Sequence, residues 1–196
     1  MRAFVIAMDC EADCVRPWLK PDDRLHVCGV GKVNAAAATM KAICEGADEI
    51  WNVGLCGGFG ADVEVGDVFS VESAVEYDFD LAQVNGVPVG TIEGFDTPYI
   101  PLDAVPMHGK APRILATGDR FSDSEADYSL IVDALGATLR DMEGAAIAHV
   151  CRLEGVKCHS VKCVTNVAGR GPMTGQYMEN KRRCLDILTK AMGELI

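Results

Sequence analysis

The sequence predicts an α/β fold built on a largely parallel sheet. Short β-rich runs alternate with helical segments of about 10–15 residues, as βαβ units require. Several of the runs end in glycine-bearing or polar loops, and in open α/β sheets strand ends of this kind hold ligands. No composition shift, Ser/Pro-rich linker or internal repeat divides the 196 residues, so 1–196 reads as a single domain with a sizeable core.

The elements follow in order. Residues 2–7 read as a buried first strand, 9–19 as a helix stopping near Pro21, and 25–30 as a second strand. A helix is expected over 34–44, with Asn34 as its N-cap and Gly46 as its stop. A third strand over 49–53 leads into a glycine-rich loop over 54–60, and 67–76 is a further strand. The stretch 83–112 is proline-rich and is expected to form loops over the sheet or an edge hairpin. Then come a strand at 114–117, a helix at 124–134, a strand at 137–140, a helix at 143–153, a strand at 158–164, and an amphipathic helix from about 177 to 195.

Charge and cysteine usage narrow the function. Eighteen basic against 29 acidic residues give a net charge of −11, which opposes binding to nucleic acid or anionic lipid. The basic cluster Lys181-Arg182-Arg183 reads as one solvated helix face. No apolar run approaches the roughly 18 residues of a membrane span. The opening Met1–Met8 run meets Asp9 and Glu11 too soon for a signal peptide, so a cytoplasmic protein is expected. Nine cysteines without a Cys-x-x-Cys unit read as reduced, mostly buried thiols, with no metal and no cofactor expected.

Five strand ends are candidates for the chemistry. Gly29-Val30-Gly31-Lys32 lacks the spacing and the following Ser or Thr of a Walker A loop, and lacks the third glycine of a dinucleotide fingerprint. It reads as a tight β-to-α turn. The 54–60 segment, with four glycines in seven residues, is expected to bring backbone N–H groups close to a ligand through Cys56 and Gly57. Phe121 lies in a polar, glycine-containing loop, where it can offer a face for a stacked purine, though an aromatic residue more often belongs to a core. Asn166, where the strand is expected to give way to loop, offers an acceptor and two donors that suit a heterocycle edge. Asp141-Met142-Glu143 sits between a strand and an alanine-rich helix; a carboxylate there can accept from a vicinal diol such as ribose.

In this order, Ala7–Glu11, Gly29–Ala36, Asn52–Gly58, Thr117–Phe121, Asp141–Cys151 and Lys162–Ala168 resemble the purine nucleoside phosphorylase and nucleosidase superfamily. They are most similar to its 5′-methylthioadenosine/S-adenosylhomocysteine nucleosidase branch. The resemblance covers nearly the whole chain outside roughly 80–112. It implies a three-layer sandwich with a mixed, largely parallel central sheet, a homodimer, and cleavage of a purine nucleoside at its N-glycosidic bond.

The resemblance also implies residue roles. Glu11 matches the residue that activates the attacking water, and Glu143 the carboxylate that holds the ribose hydroxyls. Met142 packs on the sugar, Phe121 on the base, and the backbone at Ser122 contacts the base edge. Met8, Cys56, Gly57 and Lys162 complete the expected substrate-binding set, with Glu11 and Asn166 as the catalytic pair. Asp141 is assigned to support.

Three departures bear on substrate. Asn166 stands where many members carry a proton-donating aspartate, which makes the site similar to futalosine hydrolase and a 6-oxopurine nucleoside the alternative substrate. Lys162 replaces an arginine, and Leu55 a serine that helps hold the water. Asn52 stands where hexameric phosphorylases bind phosphate with arginine, so hydrolysis is expected over phosphorolysis. A non-catalytic nucleoside-binding protein is the other class these departures allow; retention of Glu11 and Glu143 argues against it.

Overall fold

The computed structural model describes residues 1–107 and 109–196. Among these described residues eight strands form one mixed sheet: β1 (Arg2–Ile6), β2 (Arg24–Val27), β3 (Glu49–Gly58), β4 (Val68–Glu76), β5 (Ile100–Pro101), β6 (Arg113–Thr117), β7 (Leu139–Asp141) and β8 (Lys157–Val167). The order is β2-β1-β3-β7-β6-β4-β5, with β8 pairing both β3 and β4. The pairs β1–β2, β1–β3, β3–β8, β4–β6 and β6–β7 are parallel; β3–β7, β4–β5 and β4–β8 are antiparallel. Strands β3, β8, β4, β6 and β7 therefore close on one another as a ring.

Helices cover both faces. On one, α2 (Lys32–Cys44) and α5 (Gly144–Glu154) bury Ala35, Ala42, Ala145 and Ile147 against Val5, Ile50 and Leu115. On the other, α1 (Asp9–Val15) and α6 (Met173–Leu195) bury Ala12, Cys184, Leu188 and Met192 against Phe4, Trp51 and Val161. Burying one large aliphatic side chain contributes about 1.5–3 kcal/mol, and these two apolar layers make the three-layer sandwich. Between them in sequence run the short helices α3 (Ala82–Asn85) and α4 (Glu125–Tyr128). No helix among the described residues is long and apolar enough to cross a membrane, and all nine cysteines are free thiols.

Several elements depart from the sequence reading, each for a tertiary reason. The expected glycine loop is strand: β3 runs through Gly54, Gly57 and Gly58 to position 58. Glycine is a poor strand former in isolation, but here its missing side chain admits neighbours. A Cβ on Gly54 would lie 2.7 Å from Glu11 Oε1, and one on Gly58 would lie 2.6 Å from Val63. Pairing with β3 likewise extends β8 to Val167, so Asn166 is a strand residue and not a loop residue.

Helix α2 starts at Lys32 behind Gly31, whose φ of 105° favours glycine. Asn34 is inside the helix and is not its N-cap; its amide donates to Val30 O at 2.8 Å. The helix expected over 9–19 is α1 followed by a 3₁₀ turn, Arg16–Trp18, where Pro17 sits near the start. That expected over 124–134 is α4 followed by wider π turns over Ser129–Ala134. Helix α6 begins at Met173, four residues earlier than expected, after Pro172. In 83–112 the regular strand is β5, two residues at the sheet edge.

Candidate active site

A cavity of about 360 Å³ opens over the carboxyl ends of β3, β7 and β8. Eight of the ten expected site residues line it: Met8, Glu11, Cys56, Gly57, Phe121, Met142, Glu143 and Asn166. Met8 is the N-cap of α1 and Glu11 lies in its first turn, Met142 and Glu143 come from the β7–α5 junction, and Phe121 from the loop after β6.

The two glutamates are held by backbone donors. Glu11, 4% exposed, accepts from Leu55 N–H at 2.7 Å and from Met8 N–H at 3.1 Å. Burial pushes its carboxyl above the ordinary range, against the opposing pull of the Leu55 N–H and the Lys162 ammonium. Glu143 Oε1 accepts from Gly31 N–H at 2.8 Å. The tight β-to-α turn thus has a use: its positive-φ glycine backbone fixes the second carboxylate. Burial, then the nearby Asp141 charge, pushes Glu143 up to about 7.

Asp141 is fully engaged in support. Its Oδ1 accepts from Thr117 Oγ1 at 2.6 Å, and its Oδ2 from Gly144 N–H at 2.9 Å and from Lys162 at 2.8 Å. A Cβ on Gly144 would collide with Leu115, so the residue after Glu143 must be small. Lys162 is 2% exposed. Burial pulls its ammonium down, yet Asp141 and Glu143 together hold it above the ordinary lysine value.

Two expected contacts lie outside the cavity. Lys162 stands behind its wall, bound to Asp141, and its route to substrate is through that carboxylate's position. Ser122 borders a neighbouring cavity, and its carbonyl accepts from Arg140 Nη2 at 2.5 Å. Phe121 is half exposed and meets Tyr177 edge-on, with ring centroids 6.0 Å apart.

Asn166 sits beside a bulge. Between Cys56 and Gly57 the β3–β8 register slips so that Thr165 is the extra residue. Thr165 Oγ1 lies 3.1 Å from Cys56 O and 2.7 Å from Asn166 Oδ1, and Asn166 Nδ2 donates to Met173 Sδ at 3.2 Å. Asn52 does not reach the cavity. Its amide donates to Val5 O at 3.1 Å and its oxygen accepts from Ser160 at 3.3 Å.

The sequence reading missed Thr174, Tyr177 and Met178, which line the cavity from α6. Their i, i+3, i+4 spacing was the available signal, hidden because the helix was expected to begin at about 177. It also missed Arg140, which lines the cavity although it was assigned only to strand. No group of three or more His, Cys, Asp or Glu among the described residues is placed to hold a metal ion.

A model of the phosphorylase superfamily matches residues 24–196, and the chain belongs to that superfamily. The 5′-methylthioadenosine nucleosidase of Arabidopsis thaliana is 34% identical over 176 residues, 87% of this chain and 62% of that protein. The aminodeoxyfutalosine nucleosidase of Campylobacter jejuni is 30% identical over 152 residues, 71% of this chain and 66% of that protein. The chain thus spans less than two thirds of the length of these curated relatives. In fold it is similar to the crystal structure of the 5′-methylthioadenosine/S-adenosylhomocysteine nucleosidase of Helicobacter pylori. The TM-score is 0.85 at 18% identity, covering 98% of this chain and 96% of that one.

Proposed function

We propose that this chain hydrolyses the N-glycosidic bond of a 5′-modified purine nucleoside. One observation carries the reading: two buried carboxylates, each fixed by backbone N–H donors, line one cavity with Phe121 and Asn166. The base stacks on Phe121, Met8 and Met142 pack against the sugar, and the ribose hydroxyls donate to Glu143. Glu11 takes a proton from water as the oxygen adds to C1′. The C1′–N9 bond breaks with its electron pair leaving on the purine, whose N7 side is hydrogen-bonded by Asn166. The buried carboxylates stabilise the oxocarbenium-like transition state.

Hydrolysis is favoured over phosphorolysis by the same electrostatics. Glu11, Asp141 and Glu143 place three carboxylates at the site, and of its two buried cations Lys162 is paired with Asp141 while Arg140 is hydrogen-bonded to Ser122 O. Asn52 is engaged between strands, so an incoming phosphate meets the repulsion of the carboxylates without an arginine at that position.

Methylthioadenosine and S-adenosylhomocysteine are the leading substrates, supported by the relatives' names. A futalosine-type 6-oxopurine nucleoside is the second reading, supported by Asn166 and by the aminodeoxyfutalosine relative. A homodimer fits the exposed Val30, Phe121 and Met178 at the cavity, and nine free thiols suit the reducing cytoplasm. The test is incubation with each nucleoside, with and without phosphate, and assay of free base. Base release without phosphate is expected. Release only with phosphate overturns the hydrolytic step, and nucleoside binding without any release marks a non-catalytic binder.

A further inference from the structure

Arg140 and Asn166 occupy one transverse row of the sheet. Gly57 is in register with Arg140 of β7 on one side and with Asn166 of β8 on the other. Residues in register across neighbouring strands face the same side, and two strand spacings separate the outer Cα positions by roughly 10 Å. Gly57 has no side chain to fill that gap. A Cβ there would lie 3.1 Å from Asn166 Nδ2 and 3.3 Å from Met173 Cε. All three residues line the candidate active-site cavity, and Phe121 lines it with them.

The Arg140 side chain is 5% exposed. Its guanidinium makes one hydrogen bond, to Ser122 O at 2.5 Å. Its Nη1 is 3.9 Å from Asp127 Oδ2, too far for a second one, and that Asp127 oxygen is buried without a hydrogen-bond partner. A guanidinium has five N–H donors and no acceptor. The guanidinium also lies over the Phe59 ring, 5.6 Å from its centroid, but most of its N–H groups make no hydrogen bond, in a residue that borders both the cavity and its neighbour.

We propose that Arg140 is a base-specificity residue that selects a nucleoside whose purine carries a 6-oxo group. The inference rests on the hydrolase reading for the placement of the base, and on the choice of base it sets the 6-oxopurine nucleoside above methylthioadenosine and S-adenosylhomocysteine. An asparagine amide can turn over to face either a 6-amino or a 6-oxo purine, so Asn166 alone leaves the choice open. Arginine cannot turn over: it only donates, and O6 with N7 is the purine edge that arginine pairs with. An adenine amino group facing Arg140 would set donor against donor.

The free bases test this separately from turnover. Equilibrium titration of the wild-type protein is expected to give at least tenfold tighter binding of hypoxanthine than of adenine. In Arg140→Met, and to a smaller degree Arg140→Lys, the ratio falls to within about threefold while thermal unfolding remains cooperative. The ratio of kcat/KM for 5′-methylthioinosine over 5′-methylthioadenosine should change in parallel, mainly through KM. Equal binding of the two bases by the wild type overturns the proposal, as does an unchanged ratio in a folded variant. If neither nucleoside is cleaved the hydrolase reading fails, and the base titration still decides the role of Arg140.

Discussion

Replacing Lys162 with methionine should cost more stability than any surface change, and should shift the acid limb of activity in a definite direction. Lys162 and Asp141 are each 2% exposed and 2.8 Å apart. Removing one partner leaves the other as a buried, uncompensated charge, at a cost of about 3–5 kcal/mol. For a chain of this size that corresponds to a fall in Tm of roughly 6–20 °C. The Lys162 pKa is raised in the folded state, so its contribution is present below the ordinary lysine range. It is lost only as pH rises through the folded value.

Glu143 has the same sign with pH, at lower pH values. Its folded pKa of about 7 lies above the unfolded value, so its ionisation disfavours the folded state as pH rises towards 7. Ionised Glu143 is the form that accepts from both ribose hydroxyls, so kcat/KM should rise with pH through about 7. Lys162 is one of the groups that hold this pKa down. Its loss should therefore move the limb to higher pH. Calorimetric unfolding and a pH–rate profile measure the two effects. Lys162→Met combined with Asp141→Asn should recover part of the stability. A Tm within 2 °C of wild type, or a limb displaced to lower pH, would refute this account of the buried charges.

Three further outcomes are expected. Glu11→Gln should lower kcat by roughly 10²–10⁴-fold with nucleoside affinity largely kept, measured by base release and by titration; a change confined to KM would argue against a water-activating role. Gly54→Ala places a Cβ 2.7 Å from Glu11 Oε1 and should depress kcat while the protein still folds; full activity would show that the carboxylate position is not critical. Asn166→Asp should shift preference toward 6-aminopurine nucleosides, read as the ratio of adenosine-type to inosine-type turnover, and an unmoved ratio would detach Asn166 from the base edge.

The α/β class, most of the helices and the strand-to-helix junction at Asp141–Glu143 were legible because they depend on local periodicity. What local pattern misjudged was the centre of the sheet. Gly54, Gly57 and Asn166 look like loop formers, and in isolation they are. They are strand here because β3 and β8 pair along their whole length and Glu11 and Met173 press into the space that side chains on Gly54 and Gly57 would fill. The Lys162–Asp141 pair joins β8 to β7 across the fold, and no spacing in the chain announces such a contact. Arg140 was legible as strand, but its face toward the cavity depends on its register with Gly57.

The ring of β3, β8, β4, β6 and β7 also affects how the molecule behaves in a crowded solution. Open strand rims template association with other chains, and a sequence that is 49% hydrophobic would be exposed to that hazard. Along the sheet's path the terminal strands are β2 and β5, of four and two residues. One of the two residues of β5 is Pro101, which has no N–H to offer, while β2 presents Arg24 and His26. The same strand closure that gathers Glu11, Arg140, Glu143 and Asn166 around one cavity therefore leaves little unpaired β-backbone, and so disfavours edge-to-edge aggregation.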